Sequence, residues 1–142
     1  MATLKIFNDI VSEEDKADLK FWGLDGVCFK DVDDFISNIP QDDNNIELVL
    51  HCKGGSTLEG WAIVDKLRAT GKTIEATIVG TCASMATIIL LAASVRKGHK
   101  HAQLLIHEPY IPEYTLADAY RAEDLQKMAD DLQAETSRFL DF

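Results

Sequence analysis

Short apolar runs and longer amphipathic stretches alternate along the 142-residue chain. Leu4 to Phe7 predicts a short strand. Ser12, placed three residues before Asp15, makes a capping-box-like start for a helix through about Leu24. A second short helix is predicted from Val32 to Ile39, stopped by Pro40, and Gln41 to Asn45 reads as a polar turn. Ile46 to Cys52 (IELVLHC) is a strand by its apolar content, followed by a glycine turn over Lys53 to Ser56. Thr57 is placed to cap a helix carrying Trp61, Ala62, Val64, Leu67 and Arg68 and ending at Gly71. Thr73 to Val79 (TIEATIV) is rich in β-branched residues and predicts a strand. Gly80 to Ala83 reads as a turn. Ser84 to Ser94 is almost wholly apolar and predicts a helix buried on all sides. Ala102 to Ile106 predicts a third strand of the same series.

Strand, helix, strand, helix, strand from Ile46 to Ile106 predicts consecutive right-handed crossover units and a parallel sheet covered by helices. From Thr115 to about Leu140 the pattern turns helical. Leu125, Met128, Leu132 and Phe139 form a narrow apolar stripe, with charged residues on the other faces. Such a stripe asks for a partner, either within the chain or on another subunit. Three prolines, no linker and no repeat place no domain boundary.

Charge narrows the partners. Lys plus Arg total 14 and Asp plus Glu total 24, a formal charge of −10. A chain this acidic repels phosphate backbones and anionic membrane surfaces, so no nucleic acid and no membrane are expected as partners. The apolar stretch Ala83 to Val95 is about one turn too short to span a bilayer. Cys28, Cys52 and Cys82 are odd in number and widely spaced, which excludes a dense disulfide framework and suggests a reducing, cytoplasmic setting. No signal peptide is visible over Met1 to Asp9.

The candidate chemistry gathers at strand ends, where open α/β sheets place their reactive groups. In Gly80 to Ala86 (GTCASMA), Ser84 falls at the start of an apolar helix. Two readings stand: a serine helix cap, or an acyl-transfer nucleophile with the Met85 N–H as a stabilising donor. His107 follows the third strand and is either a packed residue or the base such a serine needs. Gly54 and Gly55 follow the first strand of the series, either as a tight turn or as backbone able to approach a substrate. Donor loop, nucleophile and base would then share one edge of the sheet. His99 and His101, with His51 and Cys52 upstream, match no standard zinc spacing, so no metal is expected. No glycine fingerprint for nucleotides appears, and G-x-S-x-G is absent around Ser84. Trp22 and Trp61 are expected as core or interface anchors.

CKGGSTLEGWAIVDKLRA, GTCASMATIILLAAS and AQLLIHEPY together resemble the Clp protease proteolytic subunit (ClpP) family, over about Ile46 to Tyr110. The start, with IFNDIVS and WGLDGV, is closer to the prophage-encoded ClpP-like proteases associated with head maturation. The resemblance implies an α/β fold of the ClpP/crotonase type, with a head over 1–114 and a protruding long C-terminal handle helix over 115–142. It implies Ser84 as nucleophile, His107 as general base, and backbone N–H groups of Gly55 and Met85 as the oxyanion hole. The loop from Gly54 to Ser56 would hold an extended substrate peptide. It further implies a homo-oligomeric ring, peptide or unfolded-protein substrates, and an ATP-dependent unfoldase or phage head proteins as partners. No cofactor is needed for this chemistry.

Three departures bear on activity. Lys53 stands where the family usually has proline. Cys82 lies two residues before Ser84; it reads as a small buried filler, although a thiol this close to a nucleophile is an oxidation liability. The family's aspartate lies on a segment after the handle, so the third triad member is expected beyond Phe142. Without it the histidine tautomer is not set, and a loss of order 10⁴ in turnover is expected for this chain. A crotonase-like acyl-CoA enzyme and a non-catalytic ring subunit are the alternative functions.

Overall fold

The computed structural model describes residues 1–112 and 119–142. They form two compact units, Met1–Ile106 and His107–Phe142. The first runs β1 (Ala2–Ile6), α1 (Glu13–Phe21), α2 (Phe29–Ser37), β2 (Asn45–Cys52), α3 (Thr57–Ala69), β3 (Thr73–Ala83), α4 (Met85–Leu90), β4 (Val95–Gly98) and β5 (Gln103–Leu105). All pairings are parallel, in the order β1-β2-β3-β4, with β5 also on β3. The fold is α/β with a parallel sheet, as the crossover pattern predicts.

Period-two burial governs the strands. Ile46, Leu48, Leu50 and Cys52 are buried on β2, and Ile74, Ala76 and Ile78 on β3, while the residues between them are half-buried or exposed. One face therefore carries the core, against Ile63, Val64 and Leu67 of α3 and all six residues of α4. The other face bears Lys5, Glu47, Val49, Glu75 and Thr77, which are half-buried or exposed.

The helix ends follow side-chain chemistry. The Ser12 hydroxyl accepts the Asp15 N–H at 3.0 Å, the predicted cap, but α1 stops at Phe21 rather than Leu24 and buries no residue. α2 starts three residues before the predicted Val32, because Asp31 accepts the Cys28 N–H and caps the turn. Ser56, not Thr57, caps α3, accepting the Glu59 N–H at 3.3 Å. Gly71 ends that helix region at φ 63, the left-handed cap glycine tolerates. Trp61 is buried as expected, whereas Trp22 is 75 % exposed and so not a core residue.

Three further corrections lie around the apolar centre. Gly80 to Ala83 is not a turn but the end of an 11-residue strand. The buried helix ends at Leu90 instead of Ser94, and β4, absent from the sequence reading, returns beside β3 before β5 does. VRKG is charged and exposed along its whole length, so apolar patterning carries no signal for it.

In the second unit, His107–Pro112 lacks regular structure and α5 spans Ala122–Asp141. The expected helix over Thr115–Asp118 lies outside the described residues, and 119–121 is not helical. The Arg121 N–H donates to the Asp124 carboxylate at 2.9 Å and sets the helix start. No residue of α5 is buried: Leu125 is 54 % and Leu140 82 % exposed, with Met128, Leu132 and Phe139 half-buried. Among the described residues no helix is long and apolar enough to cross a membrane.

Candidate active site

β2 and β3 pair in register from Asn45↔Thr73 to Leu50↔Ile78, then shift so that Cys52 faces Cys82. β3 thus carries extra residues opposite His51, a bulge of the kind found beside active sites. The His51 ring fills it: Nδ1 accepts the Thr81 N–H at 3.1 Å, and a Cβ on Gly80 would lie 2.2 Å from that nitrogen. His51 is thereby accounted for as a bulge anchor. The bulge changes the phase of the strand, and Cys82 and Ala83 are both buried just before Ser84.

Ser84 is the one non-glycine residue with positive φ among the described residues, at φ 54 and ψ −129. It occupies the cap position of α4, yet its side chain makes no cap hydrogen bond. The cap reading of this serine therefore fails. Its backbone is pinned instead: the N–H donates to Leu105 O at 2.9 Å, and the carbonyl accepts the Thr87 N–H at 2.9 Å and the Thr87 hydroxyl at 2.6 Å. A strained residue held by its surroundings costs of order 1–3 kcal/mol, and such strain concentrates at functional sites. The turn has the strand-to-helix form of a nucleophile elbow. Cys82 and Ala86, two before and two after Ser84, are both buried, and the absence of G-x-S-x-G agrees with a turn that is not that of an α/β-hydrolase.

The glycine loop lies directly against this turn. A Cβ on Gly54 would sit 2.7 Å from Ser84 Cβ, 2.8 Å from Ala83 O and 3.0 Å from Met85 N. Gly54 and Gly55 have φ 101 and 136, values that L side chains rarely adopt. Ile10 clamps the loop from its other side: its N–H donates to Gly54 O and its carbonyl accepts the Ser56 N–H, both at 2.8 Å. The sequence reading missed Ile10, which carries no pattern beyond an apolar side chain in a loop. Gly55 must be glycine, since a Cβ there would lie 2.1 Å from Ile10 O. Among the described residues the N–H groups of Gly55 and Met85 have no hydrogen-bond partner. The structure thus brings Gly54, Gly55, Ser84 and Met85 together at the ends of β2 and β3. Ser56 lies in the same loop, but its N–H is engaged by Ile10 and its hydroxyl by α3.

Met85 owes its place to another glycine. A Cβ on Gly60 of α3 would fall 2.2 Å from Met85 Cγ, so the methionine packs directly onto the helix backbone. The thiol of Cys82 is pushed up to about 12 by burial and then by neighbouring Cys52. It is a protonated, buried group that fills apolar space, as the filler reading expects.

His107 opens the second unit and is half-buried. Its Nδ1 is 2.7 Å from the Glu108 carbonyl oxygen, and its ring tilts against Tyr110 at 5.4 Å between centroids. A carbonyl oxygen only accepts, so Nδ1 carries the proton and Nε2 is left as the acceptor. Nδ1 thus faces a backbone carbonyl rather than a carboxylate.

The family model described as Clp protease matches residues 35–140. Among curated proteins, the ATP-dependent Clp protease proteolytic subunit of Cuscuta reflexa is 27% identical over 99 residues, covering 66% of this chain and 49% of the relative. That of Porphyromonas gingivalis is 28% identical over 100 residues, covering 61% of this chain and 45% of its own length. The chain thus spans about half the length of the curated relatives it matches. Among solved structures, a ClpP1 mutant from Listeria monocytogenes superposes with a TM-score of 0.67 over 96% of this chain and 67% of the other, at 19% identity, a likeness of fold. With the fold, the elbow and the glycine loop in place, the match over residues 35–140 leaves one conclusion: the chain belongs to the Clp protease family.

Proposed function

We propose that the chain is a Clp-type serine endopeptidase subunit that cleaves peptide bonds by acyl transfer at Ser84. The observation that carries this reading is the backbone of Ser84: a strained, doubly pinned turn that leaves the hydroxyl without a cap bond, set against Gly54. His107 Nε2 takes the Ser84 Oγ proton, and Oγ attacks the peptide carbonyl. The open N–H groups of Gly55 and Met85 hold the oxyanion, and Gly54 to Ser56 line the bound peptide. His107 then gives its proton to the leaving amine, and water releases the acyl group by the reverse steps.

Further parts of the reading rest on the family. The subunits form a homo-oligomeric ring that encloses the site, with 1–114 as the head and 115–142 as the handle. Unfolded proteins are the substrates, and an ATP-dependent unfoldase or phage head proteins are the partners, in the cytoplasm. The Cuscuta reflexa relative is named as a subunit of an ATP-dependent protease, which supports an ATP-driven partner. The carboxylate partner of His107 belongs to a segment following Phe142. The Glu108 carbonyl orients the ring but adds no negative charge to stabilise the imidazolium, so residues 1–142 alone acylate slowly.

A fluorophosphonate probe tests this. Labelling is expected at Ser84, abolished by Ser84→Ala, and faster in a chain extended past Phe142, where a carboxylate would stabilise the imidazolium. Equal labelling at both lengths would overturn the placement of the acid. No labelling at either length, with ring-sized mass by light scattering, would leave a non-catalytic ring subunit. Acyl-CoA turnover that survives Ser84→Ala would point to a crotonase-like enzyme.

A further inference from the structure

Cys52 is the last residue of β2, 2 % exposed, two residues before the glycine loop. Its sulfur accepts the Gly54 N–H at 3.3 Å and lies 3.8 Å from Gly54 O, toward which the S–H can donate. Gly54 itself is buried, so its amide has no recourse to water. Ile10 reaches the loop only through Gly54 O and the Ser56 N–H. The thiol is therefore the group that satisfies the loop's buried donor, and it does so on the residue whose Cα faces Ser84 and Met85.

We infer that Cys52 is the positioning residue of the oxyanion loop: its thiol holds the Gly54 peptide at φ 101 against the Ser84 turn, and so leaves the Gly55 N–H open for the substrate oxyanion. The inference rests on the peptidase reading and deepens it. Two features suit the thiol to this task. Burial pushes it up to about 11, so it stays protonated and keeps its hydrogen for Gly54 O. It also fills apolar space in a fully buried position, as a free cysteine commonly does. Cys82, its Cα partner on β3, has no bond to the loop and serves as filler.

The test uses the full chain with Cys52→Val, which keeps an apolar side chain and removes the acceptor, and Cys52→Ser, which keeps an acceptor at the same position. Two readouts are taken: amide exchange at Gly54, referenced to the core amide of Leu48 to factor out global loosening, and the rate of Ser84 acylation by a fluorophosphonate. Cys52→Val should speed Gly54 exchange relative to Leu48 by about tenfold and slow Ser84 acylation by about tenfold, less than the 10²–10³ for loss of a whole donor. Cys52→Ser should hold both within about threefold. The inference is overturned if the valine variant leaves Gly54 exchange unchanged, or speeds it while acylation stays at the wild-type rate. If Ser84 is not labelled in the wild type while Gly54 exchange responds as described, the peptidase reading falls and the thiol anchor stands.

Discussion

The Ser84 turn and helix α5 are built on opposite terms. Around Ser84 nearly every backbone group is engaged within the first unit: Leu105, Thr87, Ile10 and Cys52 fix two loops from four directions, and the flanking Cys82, Ala83, Met85 and Ala86 are buried. α5 is the longest helix described, yet it buries none of its 20 residues. An isolated helix of that length is marginal in water, and its stability comes from covering an apolar face. The glycine loop and the Ser84 turn are thus fixed by contacts within the first unit, whereas α5 displays a stripe that its own residues do not cover.

The sharpest way to break this comparison is Gly54→Ala. The new Cβ would enter the 2.7–3.0 Å space held by Ser84 Cβ, Ala83 O and Met85 N at a φ unsuited to alanine. A loss of about 3 kcal/mol is expected in urea unfolding, with Ser84 labelling abolished. A near-wild-type midpoint would show that the loop yields easily. Next in size is a pair at the elbow. Ser84→Gly should be more stable than Ser84→Ala by about 1 kcal/mol, because glycine adopts φ 54 without penalty. Equal midpoints would mean the turn carries no strain. Smallest is truncation on α5. With Leu125 and Leu140 largely exposed, alanine at either should cost under about 0.5 kcal/mol in dilute solution. A larger cost that grows with protein concentration would show the stripe buried between copies.

Much of the fold was legible because period and punctuation are local. β-branched residues in Thr73–Val79, Ser12 ahead of Asp15, and Gly71 after an apolar helix each point to one local structure. The failures are equally physical. β4 escaped because its four residues are all exposed and carry no apolar period. Gly80–Ala83 looked like a turn because glycine and small residues break strands, but here they admit the His51 ring into a bulge. Ser84 was ambiguous because a capping serine and a nucleophile occupy the same position in sequence, and only the tertiary structure shows that its side chain makes no cap hydrogen bond.

The amino-acid sequence by itself determined the crossover architecture, the candidate pair Ser84 and His107, and the glycines that lie beside the serine, since these follow from residue type and spacing. The tertiary structure alone decided that Gly54 rests on Ser84, that Ile10 and Cys52 hydrogen-bond the glycine loop, and that a backbone carbonyl faces His107 Nδ1. Those contacts join residues through backbone atoms that every residue carries alike, so no pattern of side chains along the chain could reveal them.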